Sequence, residues 1–306
     1  MKHLTEGNKM FLSVMVIFAI YAVIFILFED FERYFLPPAR EINEWHMVLF
    51  SFVVMVCLSI VLLRYARRMD ERISREQADK QNRMRRELTQ NISHELKTPV
   101  ASILGYTETI LAHPDMEQEM QRQFIVRTQS QAQRLTSLLQ DISTLNRMDY
   151  AADMIKHERV DVSHIVSDII QETGLDVAKK QMNVRNHLPQ DIIINGNPSL
   201  IYSIFRNLMD NAIKYAGEGT TVEINAHRSE GKWHFTFADD GAGLNADHLP
   251  RIFERFYRID KGRSRALGGT GLGLAIVKNA VQLHGGVIEA HSSPGQGLQF
   301  NFSLSE

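Results

Sequence analysis

At 306 residues, 44% apolar and 23% charged, with 18 Gly and 8 Pro, the chain has room for about two folded domains and is neither collagen-like nor generally disordered. Its 34 Lys and Arg nearly balance 36 Asp and Glu, for a net charge of −2, which argues against a globally basic nucleic-acid binder. The single cysteine, Cys57, excludes an internal disulfide and a cysteine-built zinc cluster.

After residues 1–10 comes an uncharged apolar run, Phe11 to Phe28, and a second follows from Trp45 to Leu63. Each is long enough for a membrane-spanning helix, at ~1.5 Å rise per residue across a ~30 Å hydrocarbon core. Phe28-Glu29-Asp30 lacks the small residues of a signal-peptide cleavage site. The intervening loop, 29–44, holds Arg33 and Arg40 against Glu29, Asp30, Glu32, Glu41 and Glu44. After Leu63 come Arg64, Arg67, Arg68, Arg72 and Arg75, so both termini are expected on the cytoplasmic side with the acidic loop outside. Beside a span, that basic run reads as an anchor to anionic lipid rather than a nucleic-acid contact. The loop, with Pro37-Pro38, is too short to fold as a ligand-binding domain. A stimulus would reach the chain through the loop itself, the membrane helices, or a membrane partner protein.

Between Pro38 and Pro99 there is neither proline nor glycine, so the second span can continue as one helix through a juxtamembrane segment, 64–82. Helical pattern runs to about Leu111, breaks at His113-Pro114-Asp115, and resumes over about 117–147. Leu135, Leu138, Ile142 and Leu145 make a bundle seam on the second helix, faced by Leu96, Ile103 and Ile110 on the first. Ile92, Leu96 and Val100 are expected to point inward, which turns His94 outward. Segment 83–150 is therefore an all-α helical hairpin, and two copies would bury both seams in a four-helix bundle, so a homodimer is expected.

The remainder, 151–306, alternates helix and strand patterns. Helices are expected near 162–180, 198–215 and 271–284, and strands near 183–187, 191–195, 221–227, 233–239, 286–292 and 298–304. This is an α/β layered domain with a mixed sheet.

Polar clusters interrupt these elements. Ser93-His94-Glu95-Leu96-Lys97-Thr98-Pro99 lies in the first hairpin helix; Thr98 stands where a zinc protease would need its second histidine. Asn207, Asn211, Lys214 and Tyr215 share a helical face by i, i+4, i+7 and i+8 spacing, and an amide oxygen beside a lysine suits magnesium triphosphate. Asp239-Asp240-Gly241-Ala242-Gly243 ends a strand with a carboxylate that can accept from an exocyclic amine and glycines that admit a flat ring. Leu267-Gly268-Gly269-Thr270-Gly271-Leu272-Gly273-Leu274 opens an apolar helix, where backbone N–H groups and the helix dipole favour phosphate. Between the last two lies Ile252-Phe253-Glu254-Arg255-Phe256-Tyr257-Arg258, then Lys261, Arg263 and Arg265: aromatics to pin a loop and cations to meet phosphate, the layout of a nucleotide lid.

Taken in this order, the boxes resemble the sensor histidine kinases of two-component signalling, over about residues 83–306, with a hairpin of PhoR-like type. The resemblance implies a dimeric phosphoacceptor hairpin joined to the two-layer Bergerat (GHKL) ATP-binding fold shared with gyrase B and Hsp90. It implies a bacterial cytoplasmic (inner) membrane location, ATP and Mg²⁺ as cofactors, and a cognate response regulator as partner. Carried over by position, His94 is similar to the phosphoacceptor, Glu95 to the acid/base beside it, and Thr98 to the residue that orients water in dephosphorylation. Asn211 would hold Mg²⁺, with Asn207, Lys214 and Tyr215 around the nucleotide. Asp239 would bind the adenine amine within the Gly241 and Gly243 turn. Arg258 and the backbone of Gly269, Thr270, Gly271, Leu272 and Gly273 would meet the phosphates. Many relatives insert a HAMP relay or a PAS sensor before the hairpin, and segment 64–93 is too short for either. Two other readings stay open: a GHKL-type ATPase that makes no phosphoprotein, and a degenerate membrane scaffold.

Overall fold

A computed structural model of the chain describes residues 44–150, 156–259 and 269–306, with isolated positions between 16 and 34. The expected first span (11–28) and the acidic loop before Glu44 lie outside the described residues apart from those positions. So do Lys261, Arg263, Arg265, Leu267 and Gly268 of the lid and glycine-rich boxes. The chain falls into two compact units, Met1–Glu87 and Leu88–Glu306.

Helix α1 runs over Glu44–Ala112. The expected second span, 45–63, falls on its start, where Phe52, Val53, Val54, Val61 and Leu63 are exposed. No helix among the described residues is long and apolar enough to cross a membrane.

In the second unit the end of α1 turns back as helix α2, Gln118–Tyr150. At the turn the Met116 N–H donates to the His113 carbonyl (3.0 Å), and near it Tyr106 packs on Phe124 with ring centroids 5.6 Å apart. Leu138, Leu145 and Met148 of α2 are buried, and Leu96 packs against the same core. Val100 departs from its expected inward position: it is 42% exposed, while Pro99 beside it is buried. In a two-helix hairpin only the stripe meeting the partner helix is covered, and Val100 lies on its flank.

Beyond the hairpin, strand β1 (Glu158–Asp161) leads into helix α3 (Val162–Lys179), capped by the Asp161 carboxylate, which accepts from the His164 N–H. Strands β2 (Asn183–Asn186) and β3 (Ile193–Gly196) precede helix α4 (Pro198–Tyr215). Asn197 caps α4 by accepting from the Leu200 N–H, and Pro198 occupies the first turn, where a missing N–H costs nothing. Then come β4 (Thr221–Ser229), β5 (Lys232–Asp239), a short 3₁₀ turn at Ala246–His248, helix α5 (Gly273–Leu283), β6 (Ile288–Ser292) and β7 (Leu298–Ser305).

Five strands form a mixed sheet in the order β2-β4-β5-β7-β6, parallel only between β2 and β4. β1 pairs antiparallel with β3 in a separate two-stranded ribbon. Alternation sorts the side chains: Phe235 and Phe237 of β5 and Phe300 and Phe302 of β7 are buried, while Thr236 and Asn301 face the other side. Phe205 of α4 meets Phe235 edge-on at 5.4 Å, and Phe235 stacks on Phe302 at 5.2 Å. The helices therefore form one layer over the apolar face of the sheet.

Candidate active site

Helix α4 presents Asn207, Asn211, Lys214 and Tyr215 to one cavity of about 1030 Å³. The lining also includes Gly243, Arg258, Gly269, Thr270, Gly271 and Gly273, together with polar residues of α2, among them Asp141 and Arg147. Ten of the residues singled out by sequence thus converge from four separate stretches of chain. Lys214 sits in the last turn of α4, where the helix dipole favours a cation.

The glycine-rich turn is shaped by close approach. Gly271 takes φ +73° and lies against the backbone of Phe256, whose N–H donates to the Gly271 carbonyl at 2.7 Å. A side chain at Gly271 would be strained in φ and would press on that backbone. A Cβ at Gly273 would come within 2.6 Å of the Asn207 Oδ1. The amide of Asn207 is oriented by its Nδ2, which donates to the Ser203 carbonyl at 2.7 Å. Helix α5 begins at Gly273 with no side-chain cap, so its N-terminal N–H groups are open to an anion. Leu272 is wholly buried and does not line the cavity.

Aromatics of the 252–258 box pack onto the α/β domain. Phe253 packs edge-on against Phe300 at 6.2 Å, and the Tyr257 hydroxyl pairs with His248 Nδ1 at 2.8 Å beneath the Arg251 guanidinium.

His94 is exposed on α1, and neither it nor Glu95 nor Thr98 lines the cavity. Thr98 turns its hydroxyl back to the His94 carbonyl at 3.4 Å. Glu95 was expected to serve the imidazole and Arg258 the phosphates. Here the two meet each other: Arg258 Nη2 donates to Glu95 Oε2 at 3.1 Å and to the Gly269 carbonyl at 2.5 Å. Arg134 of α2 donates to the same carboxylate oxygen at 3.3 Å. The Arg258 side chain is only 5% exposed, and its Nε has no partner. A buried guanidinium N–H without an acceptor is costly, and an incoming anionic oxygen would relieve it.

Asp239 and Gly241 also stand off the cavity wall. The Asp239 carboxylate accepts from the Gly241 N–H at 3.0 Å. Burial raises its pKa above the usual aspartate range, opposed by the backbone donors of Gly241 and Leu298, with Asp240 adding a like charge.

Three further residues bear on the site and had no signal in spacing or motif: Arg134, Asp141 and Asp149, all on α2. Thr270 Oγ1 donates to Asp141 Oδ2 at 2.7 Å, and Arg255 grips Asp149 through two bonds. Burial raises the Asp141 pKa, while Thr270 and the Lys214 charge lower it and Asp210 raises it again.

A divalent cation fits this wall only in company. Asn211 lines the cavity and makes no side-chain hydrogen bond among the described residues. No cluster of three acidic, histidine or cysteine residues among them could hold a metal alone. A neutral amide oxygen of this kind suits Mg²⁺ that draws its other ligands from phosphate and water.

Comparison with known proteins agrees with this division. Residues 84–151 match the His Kinase A (phospho-acceptor) domain, and residues 196–306 match the histidine kinase-, DNA gyrase B- and HSP90-like ATPase family. The sensor-like histidine kinase SenX3 of Mycolicibacterium smegmatis is 36% identical over 222 residues, 72% of this chain and 58% of that protein. The chain thus spans little more than half the length of that relative. Among solved structures, the Acinetobacter baumannii histidine kinase AdeS superposes with TM-score 0.57 at 20% identity, covering 69% of this chain and 97% of that one. Histidine kinase ThkA in complex with response regulator TrrA gives TM-score 0.57 at 18% identity, covering 71% of this chain and 60% of that one. At these identities the two structures show the fold alone.

Proposed function

We propose that this chain, which belongs to the histidine kinase family, phosphorylates itself on His94 from ATP and passes the phosphoryl group to an aspartate of a response regulator. One observation carries the reading. A single guanidinium, Arg258, touches both the carboxylate next to His94 and the carbonyl of Gly269 in the phosphate-facing turn. The helix that would accept the group and the cavity that would hold ATP are joined through it.

In the reaction an imidazole nitrogen of His94 attacks the γ-phosphorus. The N–P bond forms as the bond to the bridging oxygen breaks, and ADP leaves with the electron pair. The proton on the ring's other nitrogen is lost to Glu95 or to water, which leaves a neutral phosphoramidate. Lys214, Arg258 and the open N-terminus of α5 offset negative charge, so catalysis is positioning plus electrostatics. Mg²⁺, with Asn211 as one neutral ligand, would neutralise further charge on the triphosphate. Thr98, one turn from His94, would orient water for the reverse task of dephosphorylating the regulator. Asp239 would fix the adenine end.

The chain is further proposed to sit in the bacterial inner membrane with spans at 11–28 and 45–63 and both termini in the cytoplasm. The uncharged runs and the surplus of arginine after Leu63 support this. A homodimer is supported by exposed apolar residues on the hairpin, Val100, Leu104, Ile125 and Val126, which a second copy would cover.

The test is incubation of the full-length chain, in detergent, with γ-labelled ATP and magnesium. Acid-labile, base-stable label that disappears in His94→Ala supports the kinase. ATP turnover without labelled protein points to a GHKL-type ATPase, and neither label nor turnover to a scaffold.

A further inference from the structure

We infer that Asp141, on hairpin helix α2, occupies the place at the glycine-rich turn that a nucleotide phosphate takes, so that the docked hairpin and ATP compete for the same groups. This rests on the reading of the cavity as an ATP site and adds a device that regulates it.

The geometry is specific. Thr270 Oγ1 donates to Asp141 Oδ2 at 2.7 Å and accepts from the Leu272 N–H at 3.2 Å. One hydroxyl therefore links the Asp141 carboxylate to the N-terminal end of α5, which no side chain caps. That end, with its N–H groups and partial positive charge, is where a phosphate would settle. Lys214 faces the same carboxylate and stabilises it, as it would a phosphate, while Asp210 on the same helix opposes it.

A second hairpin carboxylate acts on the neighbouring stretch of the same wall. Glu95, also on the hairpin, holds Arg258, which is nine-tenths buried and keeps an unpartnered Nε at the turn. The hairpin thus lays one acid on the hydroxyl and another on the guanidinium of the glycine-rich wall. A triphosphate entering beside Asp141 meets a like charge in a partly desolvated space, where repulsion is far stronger than in water. Binding of ATP would therefore expel α2 from the turn, and docking of α2 would weaken ATP binding, as reciprocity between two linked equilibria requires.

The experiment is displacement of a fluorescent ATP analogue by ATP, with magnesium, on the full-length protein in detergent. Asp141→Asn and Asp141→Ala are expected to bind ATP roughly three- to tenfold more tightly than the parent. Asp141→Glu, which keeps the charge, should stay near the parent value. Unchanged or weaker binding in the Asn and Ala variants would overturn the inference; weakening seen only with magnesium would do so by making Asp141 a cation ligand. Hydrogen exchange on the unaltered chain supplies a measurement free of mutation: amides of 138–145 should exchange faster when ATP is added, and unchanged or slower exchange contradicts competition. Absence of any ATP binding by the parent would instead sink the ATP-site reading itself.

Discussion

Asp149 and Arg255 face one another as a two-pronged pair, Nη1 to Oδ2 at 2.8 Å and Nη2 to Oδ1 at 2.7 Å. One ends the second hairpin helix and the other lies between β5 and α5, so the pair fastens the α/β layer to the hairpin. Both side chains are a little over one quarter exposed, which limits the value of the pair. A double-mutant cycle with Asp149→Ala and Arg255→Ala, read by denaturant unfolding, should give a coupling of about 0.5–1.5 kcal/mol. A coupling near zero would mean that the contact does not help to dock the two parts.

Glu95→Gln should lower the autophosphorylation rate by roughly 10²-fold or more, because the amide cannot take the ring proton. The ATP concentration for half-maximal rate should fall no more than a few-fold, as the weakened hold on Arg258 frees that guanidinium for phosphate. A large change in that concentration with an unchanged maximal rate would assign Glu95 to holding Arg258 rather than to the chemistry.

The aromatic centre of the sheet gives a stability test. Phe235 is 2% exposed between Phe205 and Phe302, so Phe235→Ala removes a ring from a filled core. Unfolding free energy should fall by about 3–5 kcal/mol. A loss below about 1 kcal/mol would show that the layer repacks freely around the gap.

His284 should make the fold sensitive to mild acid. It is 3% exposed, its Nδ1 pairs with the Ala280 carbonyl at 2.7 Å, and its Nε2 accepts the Asn197 N–H at 3.0 Å. Burial lowers its pKa, the Ala280 carbonyl opposes this, and the stacked His157 lowers it further. Above the ordinary value of 6.5 the ring is neutral in both folded and unfolded chains, and the full stability is present. As pH falls below 6.5 the unfolded chain gains the proton first, so stability is lost down to the depressed folded value. The slope from this group is at most about 1.4 kcal/mol per pH unit. Chemical denaturation from pH 7.5 to 5 should show it, and His284→Gln should flatten it; an equally steep variant would place the titration elsewhere.

Much of this architecture was legible from local pattern. Asn197-Pro198 announces the start of α4, and the alternation of Phe235, Phe237, Phe300 and Phe302 announces buried strand faces. Elements with little apolar signal were not legible: β1 has four residues of which Val160 alone is buried, and it exists because it pairs with β3. Helix α5 starts at Gly273 rather than 271 because Gly271 adopts a positive φ that no helix accommodates. The cavity-lining residues of α4 and the glycine turn could be named from motif spacing. Their partners could not, since Thr270 and Asp141 lie 129 residues apart and Arg258 and Glu95 lie 163 apart. Nothing along the chain says that two hairpin acids meet those groups; only docking brings them together.

Direct location of the transferred phosphoryl group tests the central claim most sharply. After incubation of the full-length protein with ATP and magnesium, fragmentation mass spectrometry at neutral to alkaline pH should place one phosphoryl group on His94, absent from Asn211→Ala. A protein that binds and consumes ATP yet carries the group on no histidine, or on one other than His94, would contradict the account.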